Sequence, residues 1–186
     1  MYTQLNSSTA NPYLTNQKLE VNAIRLYDKA TYKSFLAKLK GIFSKDKSLN
    51  LSTLNEVLQQ ATILRQKALG VKTVNINKIV GTTSEGRSRD FDINFRPLQA
   101  HNKERWLGVA MAKISQHRLP PVILVQLDDY FFVEDGHHRI SVAKAMGEKN
   151  IEAKIVKLSV SSTLSTSISN ASNKNVSNPI LQPTAT

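Results

Sequence analysis

Apolar positions in the first third of the chain recur with a helical period. Over residues 19–42 they are spaced mainly by three and four, which predicts an amphipathic helix. A second helix is predicted over residues 52–69, where Ser52 begins it and Gly70 is placed to end it. Its apolar stripe consists of Leu54, Val57, Leu58, Ala61, Leu64 and Ala68.

From Val71 onward the pattern favours strands. Residues 74–80 alternate between apolar and polar types, and Val122–Leu127 is a short apolar run typical of a buried strand. The turn at Asp128 and Asp129 connects that run to a partner strand over residues 130–134. Residues 151–158 alternate again and predict the last strand of the sheet.

Two further helices are predicted among these strands, over residues 102–117 and 139–146. The order of elements is therefore two helices, then β, loop, α, β, β, α, β. This order predicts an α+β fold with a small mixed sheet and helices, preceded by a two-helix N-terminal extension.

The same pattern divides the chain into four parts. Residues 1–17 are polar and predict a flexible tail, and residues 18–70 form the helical extension. Residues 71–158 form the sheet domain. Residues 159–186, rich in Ser, Thr and Asn, predict a disordered tail.

Composition adds information about partners. The chain has 186 residues, of which 40% are hydrophobic, so one domain with a real core is expected. Its formal net charge is +11, which favours polyanionic partners such as nucleotides or DNA. Solubility alone is the other explanation of that charge.

Several classes of protein are disfavoured. The chain has no cysteine, so it has no thiol nucleophile, zinc–thiolate site or disulfide framework. No stretch approaches the roughly 18 apolar residues of a membrane helix, and the first residues lack the pattern of a secretory signal. We therefore expect a cytoplasmic protein that does not contact the membrane.

The segment 131–147 concentrates the polar chemistry of the chain. It predicts a buried strand, a glycine turn and a helix that begins immediately. Such a turn leaves backbone N–H groups free at the positive end of the helix dipole, which favours a phosphate. Arg139 can add a planar, permanently charged group. The polar residues of the turn are Asp135, Gly136, His137, His138 and Arg139.

Simpler roles for these residues remain open. The role of Asp135 can be simply that of a helix cap, and His137 and His138 can be surface or packing residues. A metal site built on the histidine pair alone is disfavoured because such sites need three or four convergent ligands. No metal site is therefore predicted on the histidine pair.

The polar loop over residues 81–92 follows the first predicted strand. Arg87, Arg89, Asp90 and Asp92 can pair locally in solvent, or they can take part in a site at the end of the strand. In the second case, Asp90 and Asp92 can hold Mg²⁺ through a bound nucleotide.

Residues 74–158 resemble the ParB/sulfiredoxin-like superfamily. This superfamily includes the N-terminal domain of chromosome-partitioning ParB proteins, the sulfiredoxins and the free-serine kinases. The matching segments are Ile79-Val80-Gly81, the helix over residues 103–117, Leu119-Pro120-Pro121-Val122, Asp128-Asp129, Val133-Glu134-Asp135-Gly136-His137-His138-Arg139 and Ala143-Lys144-Ala145-Met146-Gly147.

The resemblance implies that the turn binds the phosphates of a nucleotide. The implied cofactor is a nucleoside triphosphate or diphosphate, with or without Mg²⁺. Gly81, Arg87 and Arg89 of the preceding loop would face the same pocket. The implied binding residues in the turn are Asp135, Gly136, His137, His138 and Arg139.

The chain departs from each known branch. Sulfiredoxins need a cysteine that is absent here, so their activity is excluded. Partitioning proteins carry a Gly-Glu-Arg-Arg type of block, whereas residues 136–139 read Gly-His-His-Arg, closer to the serine kinases. In a kinase, Glu85 and His138 would be the candidate catalytic residues.

Three hypotheses follow. The first is a nucleotide-phosphate-binding ParB-like protein with a regulatory or DNA-associated role, as in chromosome partitioning. The second is a small-molecule kinase that transfers a phosphoryl group to a free-serine-like substrate. The third is a non-catalytic interaction module.

Overall fold

The computed structural model describes residues 12–43, 50–58 and 61–161. The elements in chain order are α1 (Pro12–Phe43), β1 (Ser52–Thr53), α2 (Leu54–Leu58), β2 (Ile63–Asn75), a 3-10 turn (Ile76–Lys78), β3 (Ile79–Thr82), α3 (Glu85–Ser88), a second 3-10 turn (Ala100–Asn102), α4 (Lys103–Ile114), β4 (Val122–Leu127), β5 (Tyr130–Asp135), α5 (His137–Ala145) and β6 (Asn150–Val160).

Six strands form one mixed sheet in the order β1-β3-β5-β4-β6-β2. The pairs β1–β3, β3–β5 and β4–β6 are parallel, whereas β4–β5 and β2–β6 are antiparallel. The central position of β5 places its C-terminal end, and the turn that follows it, in the middle of the sheet edge.

Other elements of the fold cover both faces of the sheet at β4, and successive residues of this strand pack against different ones. Leu124 packs with Ile140 of α5 in the larger core cluster. Val125, which points to the opposite face, packs with Leu54 and Val57 of α2. Burial on both faces accounts for the nearly continuous apolar sequence of β4.

The helix α1 lies on α4 through small and aromatic side chains. Ala23 and Ala30 are buried there, and the ring of Tyr27 meets that of Trp106 edge-on at 5.3 Å between centroids. The indole N–H of Trp106 donates a 2.8 Å hydrogen bond to Ser141 Oγ of α5. These contacts join α1, α4 and α5 into one helical layer.

None of the helices in the described ranges is both long and apolar enough to cross a membrane. α1 has 32 residues, but its mixture of charged and apolar side chains is that of a surface helix.

The predicted α+β class is confirmed: helices pack on a mixed sheet, and an N-terminal helix precedes it. The predicted helix 19–42 lies within α1, and α4, β4, β5, α5 and β6 form at the predicted places, with ends that differ by a few residues.

The predicted helix over residues 52–69 is wrong. Among the described residues of this range, only Leu54–Leu58 is helical, and Ile63–Asn75 is a strand paired antiparallel with β6. Leu64, assigned to the apolar stripe, is 67% exposed. Pairing of the backbone with a strand far along the chain outweighs the local helical spacing.

The single strand predicted over residues 74–80 is also corrected. β2 ends at Asn75, whose side chain accepts a 2.9 Å hydrogen bond from the N–H of Asn77. This cap starts the 3-10 turn, after which β3 begins at Ile79. The predicted strand is therefore divided between β2 at one edge of the sheet and β3, which lies next to the strand at the other edge.

The predicted tails are partly corrected. Residues 12–17 belong to α1, and Ser159 and Val160 belong to β6. Residues 1–11 and 162–186 lie outside the described residues. The predicted boundary between residues 70 and 71 falls inside β2.

Candidate functional site

The candidate site begins at the turn between β5 and α5. Gly136 has φ +100°, a conformation that L side chains rarely adopt, and a Cβ there would lie 2.5 Å from Val122 Cγ1. The N–H of Ile140 bonds to the carbonyl of Gly136 at 3.0 Å. The N–H groups of residues 137–139 therefore precede the first intrahelical donor and remain available at the start of α5.

Arg139 fixes this turn to the start of β4. Its Nη1 donates to the carbonyl oxygens of Pro120 at 2.6 Å and Pro121 at 3.0 Å. Its Nη2 pairs with the carboxylate of Asp135. Because only 15% of the side chain is exposed and both Nη atoms are engaged, Arg139 mainly braces the turn.

A cleft of about 420 Å³ opens at the start of α5. Arg87 and Arg105 enter its wall from α3 and α4. Arg105 has no ion-pair partner in the described part of the chain. The lining residues are Ser84, Arg87, Arg105, Val109, Leu119, Pro120, Glu134, Asp135, Gly136, His137, His138 and Arg139.

Two buried histidines form the inner wall. Nε2 of His137 lies 2.8 Å from Thr82 Oγ1, and its ring stacks on Phe91 at 6.0 Å between centroids. His138 meets the same Phe91 edge-on at 5.3 Å. Nε2 of His138 is buried without a hydrogen-bond partner among the described residues.

Both histidines are held in the neutral form. Burial, followed by the nearby Arg87, lowers the pKa of His137 to about 4. Burial, followed by Arg105, lowers the pKa of His138 to about 4. At neutral pH each ring can therefore donate and accept a hydrogen bond without adding charge to the cleft.

The carboxylates of the loop after β3 are engaged in local contacts. Asp90 pairs with Arg87 at 3.0 Å and lies 3.3 Å from Nε2 of His101. Asp92 accepts the N–H groups of Asn94 and Arg96 at 2.9 and 2.8 Å. Burial raises the pKa of the Asp92 carboxyl despite these bonds. Over the described ranges, no three His, Asp or Glu residues are grouped to hold a metal ion.

Six of the residues predicted for the site line the cleft together, and Arg105 joins them from α4. In the sequence, Arg105 could be recognised by its position beside Trp106. The full burial of Trp106 fixes the orientation of α4. The six are Arg87, Asp135, Gly136, His137, His138 and Arg139.

Three other predicted residues lie outside the cleft wall. Gly81 is a packing residue, because a Cβ there would lie 2.3 Å from the carbonyl oxygen of Ser52. Glu85 is exposed and accepts a 3.3 Å hydrogen bond from Asn55 Nδ2. The exposed Arg89 bonds to Gln99 through its carbonyl, at 3.4 Å.

A family model, the ParB N-terminal domain, matches residues 65–172. No curated protein and no solved structure gives a significant match. The matched region covers more than half of the chain and contains the whole β5–α5 turn. The protein therefore belongs to the ParB N-terminal domain family.

Proposed function

We propose that the cleft at the start of α5 binds the phosphates of a nucleotide, in a ParB-like protein with a regulatory, DNA-associated role. The observation that carries the proposal is the convergence of three features on one cleft. They are the free N–H groups of the α5 N-terminus, the guanidinium groups of Arg87 and Arg105, and the side chain of His138, whose buried Nε2 has no hydrogen-bond partner among the described residues.

The charge of the cleft favours an anion. Asp135 is neutralised by Arg139, and Arg105 has no carboxylate partner among the described residues. The helix terminus adds a partial positive charge close to the same space. The wall has three arginines and two carboxylates, Asp135 and Glu134, and Arg87 is also paired at 3.0 Å with Asp90, which lies outside the wall.

The inner wall also favours an occupant with hydrogen-bonding groups. A buried polar atom without a partner costs about 1–3 kcal/mol. A hydroxyl or phosphate oxygen placed beside Nε2 of His138 would remove that cost. Gly136, which has no side chain, allows the ligand to approach the backbone closely.

Within this proposal the arginines have different roles. Arg87 and Arg105 contact the phosphates, whereas Arg139 holds the turn in the binding geometry through Pro120, Pro121 and Asp135. For the phosphoryl-transfer alternative, the candidate catalytic residue His138 lines the cleft, whereas Glu85, the candidate base, lies outside the cleft wall.

Thermal unfolding tests the proposal. ATP, ADP, CTP and GTP are each added with and without Mg²⁺, and at least one should raise the midpoint, because a ligand of the native state stabilises it. Arg105→Gln should reduce that shift. Arg65→Gln, an equal change on β2, should leave it intact.

Two results would contradict nucleotide binding in this cleft: no shift for the wild type with any nucleotide, or an equal shift for Arg105→Gln. The DNA-associated role is tested separately by measuring retention on duplex DNA across a salt series. A chain with net charge +11 should show retention that falls steeply with salt. Absence of retention at low salt would contradict the DNA-associated role but not nucleotide binding.

A further inference from the structure

A second cleft lies between α1 and the C-terminal end of α5. Its volume is about 380 Å³, and it is lined by different residues from the nucleotide cleft. Five cationic side chains from separate parts of the chain enter its wall. They are Lys29, Lys33, Arg96, Lys144 and Lys149.

Most of this positive charge is uncompensated. Glu148, the carboxylate in the wall, is bound by Lys113 Nζ of α4 at 2.6 Å. Lys29, Lys33 and Lys149 have no ion-pair partner among the residues that the structure describes. Lys29 and Lys33 are one helical turn apart, where like charges destabilise a helix. A bound anion would relieve this repulsion.

The other two cations are held in place by the fold. Arg96 Nη1 donates a 2.7 Å hydrogen bond to the carbonyl of Lys33. Lys144 Nζ lies 4.7 Å from the centre of the Phe95 ring. Burial lowers the pKa of Lys144 to about 8, and the nearby Asp92 opposes this shift. An anion in the cleft would favour the charged form of Lys144.

The lysines of this cleft are not needed to cap the C-terminal end of α5. Gly147 has φ +79°, and its N–H bonds to the carbonyl of Lys144 at 3.1 Å. The N–H of Glu148 bonds to the carbonyl of Ala143 at 3.0 Å. These two bonds form a helix-ending motif that satisfies the last carbonyls through the backbone. Lys29, Lys33 and Lys149 are therefore available to a ligand, whereas Arg96 is paired with Asp92 at 3.6 Å.

The same wall contains apolar and amide side chains. Leu26 and Ile76 contribute hydrocarbon surface, and Asn77 and Asn94 contribute amide groups. A simple inorganic anion would leave the hydrocarbon surface in water, whereas an organic anion would cover it. A phosphate monoester carries about 1.5–2 negative charges at neutral pH, which suits a cluster of several cations.

We propose that this second cleft binds the phosphate monoester of a small organic molecule. The phosphate lies against Lys29, Lys33 and Lys149, and the organic part covers Leu26 and Ile76. The inference is independent of the nucleotide cleft and of any role for DNA.

Isothermal titration of the full chain with phenyl phosphate tests this inference. Phenyl phosphate should bind more tightly than inorganic phosphate, which lacks the ring, and than phenol, which lacks the phosphate. The triple variant K29Q/K33Q/K149Q should bind it at least about tenfold more weakly. The variant K67Q/K154Q/K157Q removes the same charge from exposed positions of β2 and β6 and should bind as the wild type does.

Arg105→Gln separates the two clefts and should leave phenyl phosphate binding unchanged. Loss of binding in Arg105→Gln, with none in the K29Q/K33Q/K149Q variant, would place the ligand in the nucleotide cleft and overturn the inference. Equal loss in both triple variants would show a response to net charge alone, which also overturns it. The inference is also overturned if the K29Q/K33Q/K149Q variant loses retention on a DNA duplex but still binds phenyl phosphate as the wild type does.

Discussion

The hydroxyl of Thr82 lies 2.8 Å from Nε2 of His137 and ties the end of β3 to the first residue of α5. The same oxygen lies 3.2 Å from the carbonyl of Val133 and accepts the N–H of Ser84 at 3.0 Å. One side chain thus joins two strands, the following loop and the helix whose first residues line the candidate cleft.

Replacing Thr82 by valine should therefore destabilise the fold. The change keeps the volume but leaves buried partners unsatisfied, at a cost of about 1–3 kcal/mol in the free energy of unfolding. Urea denaturation measures this. Thr73→Val, at an exposed position of β2, should change stability by less than about 0.5 kcal/mol. Equal values for the two variants would contradict a structural role of the Thr82 hydroxyl.

Stability should depend on pH through the buried histidines. The pKa of His137 and of His138 is about 4 in the folded protein, whereas an unfolded histidine has a pKa of about 6.5. Between these values the unfolded chain binds more protons, so the free energy of unfolding rises with pH. The stability is fully present above about pH 6.5 and is lost as pH falls towards about 4.

Urea denaturation at pH values between about 7 and 5 measures this slope. His138→Gln should make it shallower, whereas His117→Gln, at an exposed histidine, should not. Asp92, whose pKa is raised by burial, contributes with the opposite sign as pH rises above the ordinary pKa of an aspartate. A wild-type free energy of unfolding that does not fall over this range would contradict burial of the neutral rings.

Two glycines with similar backbone angles should respond differently to alanine. Gly136 has φ +100° and Gly147 has φ +79°, so each substitution carries the left-handed penalty of about 1–2 kcal/mol. At Gly136 the new Cβ would also meet Val122 at 2.5 Å, which adds about 1–3 kcal/mol. At Gly147 nothing lies within 4 Å. Thermal midpoints of both variants measure the difference, and equal losses would contradict the tight packing of the β5–α5 turn.

Arg139→Lys should weaken the brace between the turn and β4. Lysine keeps the charge but cannot serve both proline carbonyls and Asp135 from a planar group. We expect a loss of about 1–3 kcal/mol in the free energy of unfolding, together with a smaller thermal shift by the nucleotide. Arg118→Lys is the control, because its ion pair with Glu152 is exposed and 3.7 Å long. Unchanged stability of Arg139→Lys would mean that the turn holds its shape without the brace.

The sequence predicted those elements whose pattern is local. Val122–Leu127 is apolar because both faces of β4 are buried, and the glycine turn at Gly136 follows directly from the strand that precedes it. β2 could not be predicted in this way. Its apolar spacing fits a helix, and its conformation depends on pairing with β6, which is distant in sequence.

In the candidate site, too, some features follow from local sequence and others depend on tertiary contacts. The residues of the turn were predicted from their chemistry, but the partners of Arg139 were not. Its contacts with Pro120 and Pro121 depend on the antiparallel register of β4 and β5. Likewise, Arg105 enters the cleft because α4 packs through Trp106, a tertiary relationship that residue types alone do not specify.

The long strand β2 also has a consequence for self-association. It is an edge strand of 13 residues, and an edge of that length can template aggregation between molecules. Two irregularities interrupt its register, between Ile63 and Arg65 and between Ala68 and Gly70. The exposed Lys67 and Lys72 add like charges that repel a second copy of the strand. The strand β2, whose sequence pattern is helical, is thus also protected against intermolecular β-sheet growth.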